Sequence, residues 1–594
     1  VCFNNLSHKT QALDGVSFTL HKGESIGIVG ESGSGKSVTA LSVMNLLTSP
    51  PAKTERGEIL LKSRNNGTVD LLKLDRAKMG QIRGNEIGMI FQEPMSSLNP
   101  VFSCGDQVAE ALKIHLHLTS KEAKERTIEL FTEVRLPRPA QIYSSFPHQL
   151  SGGQKQRVMI AMAMCCNPAI LIADEPTTAL DVTVQASILN VLENLREVHD
   201  TSLIFISHDL GVIAEVADRV LVMHKGKIVE EGNVFKIFNN PEHPYTKGLL
   251  ACRPRLDIKL RRLPVIADFM KTDNDSTKRG FTSVGQALLV NAESKSETIR
   301  KRLAVIQGGP ILRVKNLTTS FSLSAGFFGR TKERLTAVDD VSFDIYPGET
   351  VGLVGESGCG KTTLGRSLIR LVEADSGQII FDNLPIHEMQ ERQMRLLRKR
   401  MQIIFQDPYA SLNPRQTIGE AISEPLKIHG IASTRAAQVD RAKELLQKVD
   451  MNPNYFNRFP HEFSGGQRQR ICIARALATG PDFIICDESV SALDVSVQAQ
   501  VLNLLNDLKQ EFNITYLFIS HDLSVIKFMA DRIFVMKNGR LVEMGYSDAL
   551  FERPKEEYTR TLINAIPKGD VADIRKAQMR RRLVYAKKTL FPTE

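Results

Sequence analysis

No stretch of 18 apolar residues occurs anywhere in this 594-residue chain; apolar segments such as AILIA at Ala169–Ala173 and YLFI at Tyr516–Ile519 are strand-length. A helix that crosses a bilayer needs about 20 such residues, so the chain is expected not to span a membrane by itself. No secretory leader is expected either. The chain opens on Val1 rather than Met, close to a motif described below, and reads as N-terminally truncated. The eight cysteines form no CxxC and no Cys/His pairing at metal spacing. With Cys165 and Cys166 in an apolar helical context, they read as small buried hydrophobes in a reducing cytosol.

What is present is an ordinary globular composition, 42% hydrophobic and 24% charged, on a chain long enough for two or more domains. The net charge of +9 fits nucleic acid, a membrane surface, or no special partner. Lys and Arg are widely spread, with one dense cluster from Arg575 to Lys588. That tail reads as a solvated or frayed helix, the sharper alternative being attraction to an anionic inner leaflet.

The chain repeats itself. Lys36 and Lys361, Gln92 and Gln406, Ser151 and Ser464, Asp174 and Asp487, and His208 and His521 are separated by 325, 314, 313, 313 and 313 residues. One domain of roughly 250 residues is therefore duplicated, a period too long for a solenoid. The first copy carries 11 extra residues around SPPAKTERGEILLKSRNNGTVD, a polar segment expected to be a loop insertion. The expected organisation is a first domain over 1–259, a polar and partly flexible linker over 260–309, a second domain over 310–566 and a basic tail over 567–594. In both copies apolar strand-like runs end at the motifs (SIGIVG and TVGLVG, AILIADE and DFIICDE, LIFISHD and YLFISHD). Such runs alternating with helical segments indicate an α/β domain with a buried, mostly parallel sheet, whose ligands bind at the carboxyl ends of its strands.

Two Gly-rich loops follow the first of these runs. Gly30, Glu31, Ser32, Gly33, Ser34, Gly35, Lys36 and Ser37 fit GxxxxGK[ST], as do Gly355, Glu356, Ser357, Gly358, Cys359, Gly360, Lys361 and Thr362, with Val38 and Thr363 next in line. Glycines let successive N–H groups turn inward around a phosphate, and the helix that follows adds its dipole. Lys36 and Lys361 would reach the β/γ oxygens, and the Ser37 and Thr362 hydroxyls would take a Mg²⁺ position. Asp174-Glu175 and Asp487-Glu488 end later strands; the Asp would hold Mg²⁺ and the Glu would orient or deprotonate the attacking water.

LSGGQ, with Ser151, Gly152, Gly153 and Gln154, and FSGGQ, with Ser464, Gly465, Gly466 and Gln467, precede those carboxylates. With the two phosphate loops, they make the chain resemble the nucleotide-binding domains of ABC ATPases, twice over and along nearly its whole length. The resemblance implies two tandem domains, each with a RecA-like core, an antiparallel β subdomain and a helical signature subdomain. It implies ATP and Mg²⁺ as cofactors and a head-to-tail pairing in which each signature completes the other copy's site. Covalent linkage would raise the effective concentration of that pair. By the same resemblance Phe3 and Phe321 match the aromatic that stacks on adenine. Gln92 and Gln406 match the glutamine that senses Mg²⁺ and water and contacts the transport partner. Asp181 and Asp494 match the loop that communicates between sites, and His208 and His521 the switch histidine that donates to the γ-phosphate.

The second copy departs in three places. Ser489 replaces Pro176 beside the catalytic Glu, and loss of the fixed proline φ is expected to hold Glu488 less firmly. Cys359 replaces Ser34 where the loop works through its backbone N–H, so little effect is expected. Phe463 replaces the signature Leu150, a tolerable apolar change. Both sites are expected to hydrolyse ATP.

Three classes compete: an importer subunit driving separate permeases, half of an exporter, and a soluble twin-domain factor acting on ribosomes or DNA. The absent membrane domain argues against the second. Phe91–Phe102 (FQEPMSSLNPVF), Phe405–Glu420 (FQDPYASLNPRQTIGE), Asn240–Leu250 (NPEHPYTKGLL) and, degraded, Glu552–Ile563 (ERPKEEYTRTLI) resemble the dipeptide, oligopeptide and nickel importers. The fused arrangement is most similar to the glutathione and peptide importers of that group. The resemblance implies two transmembrane permease subunits, a periplasmic substrate-binding protein, no nucleic acid, and a peripheral place on the cytoplasmic face of the bacterial inner membrane. Some relatives bear a cysteine-rich cluster after the HPYT segment; with only Cys252 there, no metal centre is expected.

Overall fold

The computed structural model describes all residues except 5–8, 65–66, 93–96, 179, 271–279, 307, 326–330, 568, 570–571, 573, 577–578 and 580–594. Most of the basic tail and part of the loop after Gln92 therefore lie outside the described residues.

Each copy is built on a six-stranded sheet. In the first the order is Lys227–Asn233, Arg219–His224, Ser25–Val29, Ser202–Ile206, Ile170–Asp174, Ile87–Ile90. In the second it is Arg540–Tyr546, Arg532–Lys537, Thr350–Val354, Thr515–Ile519, Phe483–Asp487, Met401–Ile404. All neighbours are parallel except the outer hairpins. The strands Ser25–Val29, Ser202–Ile206, Thr350–Val354 and Thr515–Ile519 are buried at every position, which is why they read as unbroken apolar runs. The phosphate-loop, switch-histidine and Asp-Glu strands are consecutive neighbours, so three motifs far apart in sequence emerge side by side at one sheet edge.

An antiparallel sheet flanks each core. In the second copy it joins Thr331–Ile345, Leu312–Ala325, Ser376–Phe381 and Leu384–Pro385; in the first, Lys9–Gln11, Cys2–Asn4 and Ala52–Lys53. The segment expected to be a loop insertion contains an antiparallel hairpin, Leu60–Ser63 with Gly67–Asp70, as well as the strand Ala52–Lys53. Short polar strands with exposed alternate positions carry no apolar run, and so read as loop. The helical subdomains comprise Cys104–Leu116, Ser120–Glu133 and Gly152–Met164, and Ile418–Ile428, Arg435–Lys448 and Gly465–Leu477. Their starts are local in origin: Thr119 with Glu122 and Thr417 with Glu420 form capping boxes.

The segment read as a linker does more than tether. Leu260, Leu263 and Leu288 join the second copy's apolar core, and Asn503 exchanges hydrogen bonds with both the N–H and C=O of Leu263. In return the C-terminal stretch crosses to the first copy, where Ile574 is buried and Pro567 O accepts from Arg253.

Candidate active site

The glycines at the head of the two phosphate loops are required by space. Gly30 and Gly355 both have φ 155°, and a Cβ at either would stand 2.2 Å from a backbone carbonyl oxygen, of Met223 or Met536. Lys36 Nζ donates to Gly30 O at 2.8 Å and Glu31 O at 3.0 Å; Lys361 repeats this on Gly355 O and Glu356 O at the same distances. Ser34 N–H and Cys359 N–H close the turn onto Glu31 O and Glu356 O, and Lys361 Nζ also lies 4.0 Å from Cys359 Sγ. Ser37 Oγ donates to Asp174 Oδ1 at 3.1 Å and Thr362 Oγ1 to Asp487 Oδ1 at 3.0 Å.

The Glu carboxylates gather the remaining polar residues. Glu175 Oε2 accepts from Gln92 Nε2 at 3.2 Å and Thr178 Oγ1 at 2.9 Å, with His208 Nδ1 at 3.1 Å. Glu488 Oε2 accepts from Gln406 Nε2 at 2.7 Å, with His521 Nδ1 at 3.4 Å. An ionised carboxylate only accepts, so Nδ1 carries a proton in both histidines; burial would lower the two imidazoles, but the Glu175 and Glu488 carboxylates outweigh it and raise them, favouring the cation in which Nε2 carries a proton too. Burial would raise the Glu175 carboxyl, but His208, Thr178 and Lys36 outweigh it and hold it down at about 2. Glu488 is likewise lowered, burial being outweighed by His521 and Lys361. The adjacent aspartates go the other way: burial pushes Asp174 up to about 6 and raises Asp487. Paired groups whose acidities are driven apart are the pattern that acid–base chemistry requires, which makes this cluster the candidate site.

Ser151 and Ser464 are the N-caps of the signature helices, each accepting from the N–H of Gln154 or Gln467 while the glutamine side chain returns the bond. Gly466 packs so closely on Val497 that a Cβ would stand 2.2 Å from it. This seats each signature beside its own copy's Asp loop, and that loop reaches the other copy. Ser32 N–H donates to Asp494 Oδ2 at 3.0 Å, Ser357 Oγ to Asp181 Oδ1 at 3.0 Å, Thr183 Oγ1 to Glu356 Oε1 at 2.9 Å, and Ser496 Oγ to Glu31. The two copies thus meet head to tail, phosphate loop against the partner's Asp loop. Phe3 and Phe321 stand apart from this polar cluster on the antiparallel sheets, half-buried and exposed respectively. Val38 and Thr363 lie in the first turns of the helices that follow the loops.

Sequence reasoning missed Thr183, Ser496 and Thr178, and gave no role to Tyr245 and Tyr558, which bond the phosphate loops. The signal existed: Thr183 and Ser496, and Tyr245 and Tyr558, recur at the same offset of 313.

The sequence model of the ABC transporter family matches residues 13–178 and again 338–491. The chain belongs to the ABC transporter family. A second family, the C-terminal region of oligopeptide/dipeptide transporters, matches residues 229–279 and 542–587. Among individual proteins the chain is similar to the glutathione import ATP-binding protein GsiA of Salmonella choleraesuis (strain SC-B67), 48% identical over 98% of this chain and 90% of that protein. It is similar also to that of Escherichia coli (strain K12), 48% identical over 96% and 88%. Among solved structures, cbiO1 from Clostridium perfringens aligns with 46% of this chain and all of its own length, at 25% identity and a TM-score of 0.37. As an ABC ATP-binding protein the chain binds and hydrolyses ATP and works with membrane permeases. No helix among the described residues is long and apolar enough to cross a membrane.

Proposed function

We propose that this protein is the energy-coupling subunit of a bacterial importer for glutathione or other small peptides, peripheral to the cytoplasmic face of the inner membrane. The supporting observation is the similarity to glutathione import ATP-binding proteins over 98% of the chain, including the second, degraded peptide-transporter segment. Its partners are two permease subunits, contacted by the loops after Gln92 and Gln406, and a periplasmic binding protein that chooses the substrate.

Both composite sites are active in this reading. Lys36 and Glu175 work with the Ser464 signature, and Lys361 and Glu488 with the Ser151 signature. The domain limits are 1–259 and 310–566, with 260–309 between them and 567–594 as the tail. The oxygen donors Ser37, Asp174 and the Gln92 amide oxygen, and Thr362, Asp487 and the Gln406 amide oxygen, suit a hard divalent cation. A positive charge there would also relieve the burial that raises Asp174 and Asp487. These residues would hold Mg²⁺, which when bound neutralises charge on the phosphates. The protein's own part is positioning and electrostatics. Lys36 and Lys361 leave the loop carbonyls for the phosphate oxygens, Glu175 and Glu488 take up the attacking water, and the protonated Nε2 of His208 and His521 donates to the γ-phosphate. Phe3 and Phe321 stack on adenine.

The test is reconstitution of the full chain with its permeases in liposomes. ATP hydrolysis should rise when the binding protein is supplied with glutathione. If another small peptide or nickel stimulates and glutathione does not, the substrate assignment is wrong. Co-purification with ribosomes rather than permeases would overturn the importer reading itself.

A further inference from the structure

Each phosphate loop is held from behind by a tyrosine that follows the core sheet. Tyr245 Oη accepts from Glu31 N–H at 3.0 Å, and Tyr558 Oη from Glu356 N–H at 3.2 Å. The flanking sequences have diverged, HPYTKGLL against EEYTRTLI, yet the tyrosine and its bond are kept.

The peptide group it holds is a consequential one. The Gly30–Glu31 peptide gives its N–H to Tyr245, while its carbonyl, Gly30 O, receives Lys36 Nζ at 2.8 Å. The Gly355–Glu356 peptide does the same with Tyr558 and Lys361. Glycine on one side leaves such a peptide plane little steric restraint, so its orientation depends on what its two ends bond. The following residue is a junction in its own right, since the Glu31 carboxylate accepts from Ser496 and that of Glu356 from Thr183, both in the opposite copy.

The tyrosines are themselves fixed. Tyr245 is fully buried with the His224 ring stacked 4.2 Å away, and Lys537 Nζ lies 4.7 Å from the centroid of Tyr558. Burial raises the Tyr245 phenol and pushes that of Tyr558 up to about 12, so both hydroxyls stay neutral at working pH.

We propose that Tyr245 and Tyr558 are positioning residues of the ATPase, locking the Gly30–Glu31 and Gly355–Glu356 peptides in the orientation that shapes each loop and seats its lysine. They tie the peptide-transporter segment to the nucleotide sites, whatever substrate the transporter carries.

The test uses the full chain with Tyr245→Phe, Tyr558→Phe and the double variant, which keep the rings and remove only the hydroxyls. Steady-state hydrolysis is measured against MgATP concentration, with thermal unfolding alongside. Losing a hydrogen bond that sets the loop's ground-state shape should raise KM for MgATP about threefold to tenfold in the double variant and leave kcat within about twofold. Tyr143→Phe loses a hydroxyl contact to Asp106 at 3.1 Å in the helical subdomain and should leave KM unchanged. An unchanged KM in the double variant, whether or not the melting temperature falls, would reduce the tyrosines to packing and overturn the proposal. A fall in kcat at constant KM would overturn it as well.

Discussion

The two Asp-Glu turns, Asp174-Glu175-Pro176-Thr177-Thr178 and Asp487-Glu488-Ser489-Val490-Ser491, reach one geometry by different means. Glu175 and Glu488 have φ of 48° and 47°, a left-handed conformation that costs a non-glycine residue energy. Each is pinned by its own N–H to the neighbouring strand, at Ile206 O or Ile519 O, both 3.0 Å. Beyond that pin they differ. In the first turn Thr178 Oγ1 donates to the Glu175 carboxylate. In the second, Ser491 Oγ turns to the backbone oxygen of Glu488 at 2.9 Å. The proline is therefore not what sets the conformation, and its replacement leaves Glu488 in the same backbone geometry. What changes is the third partner of the carboxylate.

The largest test of this comparison removes the carboxylates one at a time. Loss of a positioned general base typically costs 10²–10⁴-fold, so Glu175→Gln and Glu488→Gln should each lower permease-coupled ATP hydrolysis at least about a hundredfold. A Glu488→Gln rate equal to wild type would make the second site degenerate and end the parallel. Next comes Thr178→Val, which deletes a hydrogen bond to a charged group. Steady-state kinetics should show kcat down about tenfold, whereas Ser491→Ala, which spares the carboxylate, should change kcat by no more than about threefold. Equal losses would mean that both hydroxyls serve the backbone.

The smallest effect concerns Ser489. It is 3% exposed, and its hydroxyl acts on the Cys486 thiol, which burial pushes up to about 12 against the hydroxyl's pull. Cys486 stands where the first copy has the smaller Ala173. Ser489→Pro together with Cys486→Ala should therefore stabilise the second domain by about 0.5–1 kcal/mol in thermal or denaturant unfolding, and Ser489→Pro alone by less. Additive effects would show that the two positions are not coupled.

Much of the site was legible because phosphate chemistry demands contiguous patterns. A loop that turns several N–H groups inward needs its glycines, lysine and hydroxyl at fixed spacing, and a strand buried on both faces must be apolar throughout. The duplication multiplied that signal. The hairpin at Leu60–Asp70 was hidden because its strands are short and partly polar, and the helix Val284–Asn291 because its apolar residues fall on both buried and exposed faces, leaving no strong period to read.

By itself the sequence determined two phosphate-binding α/β domains with paired carboxylates at strand ends, since those features are written in short, local stretches. Tertiary structure alone decided which groups meet across the chain. Glu31 lies 214 residues from Tyr245 and 465 from Ser496, and no spacing rule connects them. Their meeting follows from sheet order and the head-to-tail contact of the copies. So does the shared backbone conformation of Glu175 and Glu488, because a backbone pinned by its neighbouring strand does not need a proline ring to hold its shape.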